Sequence, residues 1–221
     1  MKLKGCKINI IGDSITEGVG TSEPGNVFWR LLATNDGADL YGDGIGGTRI
    51  ARQLVPSENP ALDQFFRSRL DRMRPEADVV IVFGGTNDYG HGDAPIGSIS
   101  DRTDDTFYGA LHKLYTELIE RYPNAHIVIM TPLHRTEEER QINEIGVRNV
   151  GTLKTYVNVI KEVAAYYSLP VLDLYEKSGI QPDNKTCRDL YLPDGLHPSD
   201  AGNRKIYNML KAFLASEFQI V

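Results

Sequence analysis

Short, β-branched apolar runs recur along this chain, each separated from the next by a longer stretch of helical periodicity. Lys7-Ile8-Asn9-Ile10-Ile11, Asp78-Val79-Val80-Ile81-Val82-Phe83, His126-Ile127-Val128-Ile129-Met130 and Pro170-Val171-Leu172-Asp173-Leu174 are nearly continuous rather than alternating. Strands read this way when both faces of their sheet are covered. A weaker run, Ala38 to Tyr41, precedes a glycine cluster. Between the runs, Phe107, Ala110, Leu111, Leu114, Leu118 and Ile119 recur at helical spacing up to Tyr122-Pro123. Leu153, Tyr156, Val157, Ile160, Val163, Ala164 and Tyr167 do the same, as do Ile206, Met209, Leu210, Phe213 and Leu214. Strands alternating with helices predict a parallel sheet with helices on both faces. No repeat, low-complexity tract or long linker divides the 221 residues, so one α/β domain over residues 1–221 is expected.

Composition serves mainly to exclude. A net charge of −6 with no basic run argues against a nucleic-acid surface, which needs clustered Lys and Arg. Cys6 and Cys187 lie at opposite ends with no Cys-x-x-Cys pair, so neither zinc nor a dithiol site is indicated, and no metal or organic cofactor is expected. The longest apolar run, Val79 to Phe83, is far short of the roughly 20 residues of a membrane helix, so no membrane span is expected. Behind the basic N-terminus only about four apolar residues precede Gly12, fewer than the roughly 7–15 of a secretory leader. As numbered, the chain is expected in the cytoplasm, or outside the cell if a leader has been removed. Oligomeric state is not legible.

In parallel sheets, ligands bind beyond the carboxyl ends of the strands. The loops there are Gly12-Asp13-Ser14-Ile15-Thr16-Glu17-Gly18, Gly42-Asp43-Gly44-Ile45-Gly46-Gly47-Thr48, Gly84-Gly85-Thr86-Asn87-Asp88 and Thr131-Pro132-Leu133-His134. Leu192-Pro193-Asp194-Gly195-Leu196-His197-Pro198 is expected to open the last helix. A serine hydroxyl becomes nucleophilic when a base takes its proton, and that base needs a group to orient it. Asp194 and His197, three residues apart in a turn, suit that pairing, and Ser14 follows the first strand where a helix start would offer backbone N–H groups to an oxyanion. Taken singly, each residue has a plainer reading as a cap or turn residue. Four blocks in order at strand ends make the joint reading specific.

Gly12-Asp13-Ser14-Ile15-Thr16 resembles the opening block of the GDSL or SGNH hydrolases. Gly47 is similar to that family's second-block glycine, Gly85-Thr86-Asn87-Asp88 to its Gly-x-Asn-Asp block, and Asp194-Gly195-Leu196-His197 to its Asp-x-x-His block. The resemblance implies a flavodoxin-like, three-layer αβα fold of about five parallel strands. It also implies a catalytic set of Ser14, Asp194 and His197, with an oxyanion hole of the Ser14 N–H, the Gly47 N–H and the Asn87 side-chain amide. One departure is Gly42, where the family often has Asn, which bears on the support of that loop. Gly46 beside Gly47 leaves the donor's register open.

Asp13, Tyr89, His91 and His134 are candidates to line the substrate cleft. Trp29, His112 and His126 are read as structural, and residues 135–150 as solvated surface, with a lid as the alternative. The expected function is serine ester hydrolysis of a small-molecule ester through an acyl-enzyme. Short-chain esters, carbohydrate-linked acetyl esters among them, are favoured because no wide apolar stretch demands a long acyl chain. Lysophospholipase or thioesterase chemistry is the alternative within the family. Outside it stand a non-catalytic or nucleotide-binding α/β module, prompted by the match of Gly42-x-Gly44-x-x-Gly47 to a dinucleotide fingerprint, and a glycosidase using Asp13, Asp88 and Asp194, which leaves Ser14 and His197 idle.

Overall fold

A computed structural model describes residues 1–147 and 151–221. The elements run β1 (Lys7–Gly12), α1 (Ser14–Glu17), α2 (Arg30–Asp36), β2 (Asp39–Gly44), β3 (Val79–Phe83), α3 (Thr86–His91), α4 (Phe107–Arg121), β4 (His126–Met130), α5 (Leu153–Tyr166), β5 (Val171–Leu172), α6 (Leu174–Lys177), α7 (Lys185–Tyr191) and α8 (Asp200–Phe218). The strands form one parallel sheet in the order β2-β1-β3-β4-β5. Successive side chains of a strand point to opposite faces, and here both faces are covered. Val79, Ile81 and Phe83 join the core packed with α2 and α8, while Val80 and Val82 join the core packed with α4 and α5. The expected three-layer, five-stranded sheet is the observed one. Among the described residues, no helix is long and apolar enough to cross a membrane.

Four local differences bear on the site. β2 continues beyond Tyr41 through Gly42, Asp43 and Gly44, because pairing with Ile10, Ile11 and Gly12 of β1 overrides their poor strand propensity. β5 ends at Leu172, since the Asp173 side chain caps α6 by accepting from the Glu176 N–H. α8 begins at Asp200 with Ser199 as its cap, so Pro198 lies outside the helix and the 194–197 turn precedes it instead of opening it. α1 is a single turn capped by Asp13, too short for the macrodipole of a long helix, although its first N–H groups still lack carbonyl partners.

β1 lies between β2 and β3, so the chain leaves it towards one side and returns on the other. Crevices at such switch points collect ligands above the carboxyl ends of the strands. The three glycine-bearing loops after β1, β2 and β3 meet there. Trp29 is buried and donates from Nε1 to the Thr16 carbonyl (2.7 Å); His112 is buried against Tyr167, and His126 stacks on Phe218.

Candidate active site

Ser14 is the first residue of α1, and its side chain is almost wholly enclosed. His197 Nε2 stands 3.0 Å from Ser14 Oγ, across 183 residues of sequence. The other ring nitrogen, Nδ1, lies 2.7 Å from Asp194 Oδ2, while Asp194 Oδ1 accepts from the backbone N–H groups of Leu196 (2.9 Å) and His197 (2.7 Å). One carboxylate therefore shapes the turn and orients the ring it carries. Burial pushes the Asp194 carboxyl upward, but the His197 and Leu196 amides and the imidazole together hold it below the usual carboxylate range. An ionised Asp194 fixes the proton on Nδ1 and leaves Nε2 free to accept from the serine hydroxyl.

Gly47 and Asn87 line the same cleft as the Ser14 hydroxyl. Gly47 has φ 72°, a conformation that suits glycine, and a Cβ there would meet Leu62 Cδ2 at 2.5 Å. The Gly46 N–H donates to Glu17 Oε2 at 2.8 Å, so of the adjacent glycines Gly47 lines the cleft and Gly46 anchors the loop. Asn87 Nδ2 donates to the Thr48 carbonyl at 2.9 Å; this bond orients the amide, whose second proton remains. At Gly42, where the family often has Asn, the loop is supported from elsewhere. A Cβ on Gly42 would strike the Trp29 ring at 2.4 Å, so the indole occupies the space a side chain would need.

Arg69, in a 3₁₀ stretch spanning Phe66–Arg72, supplies further support and was not singled out in the sequence. Its fully buried guanidinium donates to the Asp43 carbonyl (3.0 Å), the Gly12 carbonyl (2.9 Å) and Thr48 Oγ1 (3.1 Å), with the Asp43 carboxylate 3.3 Å away. Asp88 accepts from the Ile50 (3.0 Å) and Ala51 (2.8 Å) N–H groups, bracketing the same loop.

Of the four cleft candidates, the structure brings only His91 to the cleft around Ser14. That cleft, of about 270 Å³, is lined by Ser14, Val19, Gly47, Asn87, His91, Arg135, Glu144, Leu196 and His197. His91 Nδ1 lies 2.9 Å from Arg49 Nη1; a guanidinium only donates, so the ring proton resides on Nε2. Burial, followed by the Arg49 charge, holds His91 below its ordinary 6.5. Asp13 is buried and caps α1 through the Ile15 N–H. Tyr89 is also buried; its hydroxyl donates to the Glu137 carbonyl (2.5 Å) and accepts from the Arg140 N–H (2.9 Å). His134 pairs with Glu138 and lies against the Tyr175 ring, away from the cleft. Each of these three is drawn off by a partner that strand-end position alone does not reveal.

Segment 135–147 forms part of the cleft wall. Glu144 N–H donates to the Gly90 carbonyl (2.9 Å), Asn143 Nδ2 to the Gly92 carbonyl (2.7 Å), and Arg135 pairs with Glu144 (2.8 Å). Thr136 N–H also donates to the Gly195 carbonyl (2.9 Å), tying this wall to the 194–197 turn. The rest of the stretch read as surface or lid, 148–150, lies outside the described residues.

The sequence profile of the GDSL-like lipase/acylhydrolase family matches residues 10–205. The chain belongs to that family. Family membership places it among acylhydrolases in general. A solved protein from Lactobacillus plantarum is 29% identical over 97% of this chain and 99% of its own, with a TM-score of 0.82. The lipase/acylhydrolase from Enterococcus faecalis is 22% identical, covering 98% of this chain and 96% of its own (TM-score 0.61). An acetyl xylan esterase is 22% identical, covering 94% and 99% (TM-score 0.61). At 22% identity these last two speak for the fold alone. No match is found among curated proteins.

The competing site readings lose their geometry. After Gly42–Gly47 the chain enters a loop and reaches only a short 3₁₀ turn at Pro60–Asp63, so no helix N-terminus is presented to a dinucleotide phosphate. Asp13 and Asp88 are buried and engaged with backbone N–H groups, which removes them as a carboxylate pair for glycoside cleavage.

Proposed function

We propose that this chain is a serine carboxylic-ester hydrolase that works through an acyl-enzyme. The observation that carries the reading is the continuous line from Asp194 Oδ2 through the imidazole to Ser14 Oγ, at 2.7 and 3.0 Å. His197 Nε2 takes the hydroxyl proton as Ser14 Oγ attacks the ester carbonyl carbon. The carbonyl oxygen becomes an oxyanion received by the Ser14 N–H, the Gly47 N–H and the Asn87 amide. Collapse breaks the bond to the leaving alkoxide, which His197 protonates. A water molecule, deprotonated by the same nitrogen, then attacks the acyl carbon and releases the acid and Ser14.

The 270 Å³ cleft suits a short acyl group such as acetyl at Ser14. An acetylated carbohydrate is accordingly one substrate within this reading. Turnover of a chromogenic acetate ester tests the reading. Activity should vanish in Ser14→Ala and in His197→Ala while circular dichroism stays unchanged, and an active-site phosphonate should label Ser14. Labelling of another serine would overturn the assignment.

A further inference from the structure

His91 closes α3 on the wall of the Ser14 cleft and takes no part in the chemistry just described. With Gly47 and Glu144 it also lines a larger adjoining cavity of about 770 Å³. Its ring is set from behind. Arg49 Nη1 donates to Nδ1 at 2.9 Å, and Arg49 is itself buried, its Nη2 held by the Leu62 carbonyl and by Asp63 Oδ1, each at 3.0 Å. Asp63 is held in turn by the Ser57 hydroxyl (2.6 Å) and the Ser57 N–H (2.9 Å). Segment 49–63 therefore fixes one tautomer of a histidine on α3, the one with its proton on Nε2.

That proton is unspent. Among the described residues Nε2 has no hydrogen-bond partner, and the atom is not sealed from the cavities that the ring lines. Cε1, bonded to Nε2, would lie 3.9 Å from a Cβ built on Gly47, so the N–H stands beside the loop that offers the Gly47 amide. Burial and the Arg49 charge hold the imidazole below its ordinary 6.5, and a histidine kept neutral donates without bringing a charge. The charged groups of the cleft wall are paired with each other, Arg135 with Glu144 at 2.8 Å. A neutral N–H beside the Glu144 carboxylate suits an uncharged oxygen better than an anionic one.

Orientation decides which part of an ester meets this donor. The leaving oxygen has to lie at His197 Nε2 to be protonated, and His197 lines the smaller cleft but not the larger, whereas Gly47 and His91 line both. With the oxyanion at Gly47 and Asn87 and the alcohol at His197, the substituent that passes His91 belongs to the acyl group. We infer that His91 is a specificity-determining residue whose Nε2–H donates to an uncharged oxygen carried on the acyl group, so that acyl groups with such an oxygen near the scissile carbonyl are favoured over alkyl acyl groups of the same size. The inference rests on the ester-hydrolase reading and adds to it the polarity of the acyl group, not its length.

The test uses two pairs of p-nitrophenyl esters in which one CH₂ is exchanged for O: methoxyacetate against butyrate, and 3-methoxypropionate against pentanoate. Dividing each kcat/KM by the ester's rate constant for hydroxide hydrolysis removes the inductive effect of the oxygen. The wild-type protein should favour the ether member of at least one pair by about fivefold, the scale of one neutral hydrogen bond. His91→Phe keeps a planar ring without the donor and should bring that ratio to about one. His91→Gln, whose amide places an N–H near the position of Nε2, should keep part of the preference, and with the wild-type ratios it carries the test if the Phe variant does not fold. Ratios near one for both pairs in active wild-type protein overturn the inference. So does an ether preference that survives in His91→Phe, even where both members of the pair slow together. Absence of turnover with all four esters would instead sink the hydrolase reading, and the role of His91 with it.

Discussion

The guanidinium of Arg69 reaches three backbone segments that come from different parts of the sequence. Gly12 precedes Asp13 and Ser14, Asp43 closes β2, and Thr48 follows Gly47 and holds the Asn87 amide through its carbonyl. In the proposed reaction Arg69 is a positioning residue, since it touches the frame of the oxyanion donors and not the substrate. Misplacing reacting groups by about 1 Å can cost on the order of 10²-fold in rate. Arg69→Met should therefore lower kcat by roughly that factor with KM within threefold, and Arg69→Lys should restore part of it. The same change strands the buried Asp43 carboxylate, so a loss of about 3–5 kcal/mol of stability is expected and denaturant melts will show how much protein stays folded. A folded Arg69→Met protein with unaltered kcat would remove the positioning role. Asn87→Ala tests the donor itself and should cost about 10²–10³-fold in kcat, measured on the acetate ester.

At the scale of elements, the segment 135–147 is held by particular bonds to α3 and the loop after it. Asn143 is buried, donates to the Gly92 carbonyl and accepts from the Ile145 and Val147 N–H groups through Oδ1. Asn143→Ala removes the buried bond to the Gly92 carbonyl and the partner of two part-buried N–H groups, a cost of about 1–3 kcal/mol. Hydrogen exchange should accelerate at 143–147 while β1 and β3 keep their protection; uniform acceleration over the whole sheet would show that the segment does not open on its own. Such tethers explain what was legible in the sequence and what was not. The runs at 79–83 and 126–130 read as strands because burial on both faces demands continuous apolar residues. The extension of β2 over Gly42, Asp43 and Gly44 was not readable, because pairing with β1 and not propensity makes it a strand. The Ser14, Asn87, Asp194 and His197 blocks stood out through fixed local spacing. Arg69, Arg135 and Glu144 carry no such spacing, and only tertiary packing brings them to the loops. Glu17 is the exception: it lies one helical turn beyond Ser14 in the first block, a signal that could have marked it as an anchor of the second loop.

For the whole molecule, buried carboxyls beneath the cleft shape the dependence of stability on pH. Burial, assisted by Asp88 and opposed by the Ile15 N–H and Arg69, pushes the Asp13 carboxyl up to about 7; burial pushes Asp88 up to about 6 against the Ala51 and Ile50 N–H groups and Arg49. In the unfolded chain both titrate near 3.8. Between pH 4 and 7 the folded state therefore binds protons that the unfolded state has lost, and stability falls as pH rises through that window. Asp194, Asp173 and Glu138, held below their usual range, act in the opposite sense, but their contribution is complete once the unfolded carboxyls have ionised, by about pH 5. His91 and His112, held below 6.5, also add stability as pH rises, so the wild-type profile alone mixes the two signs. Asp13→Asn separates them. Asparagine keeps an oxygen for the Ile15 N–H but carries no charge to bury, and it leaves both histidines in place. Its melting temperature relative to wild type should be higher at pH 8 than at pH 5, by several degrees, because a shift of one pKa unit corresponds to about 1.4 kcal/mol. An equal offset at the two pH values would mean that Asp13 is ionised throughout, and that the loop above it tolerates a buried charge more readily than its surroundings imply.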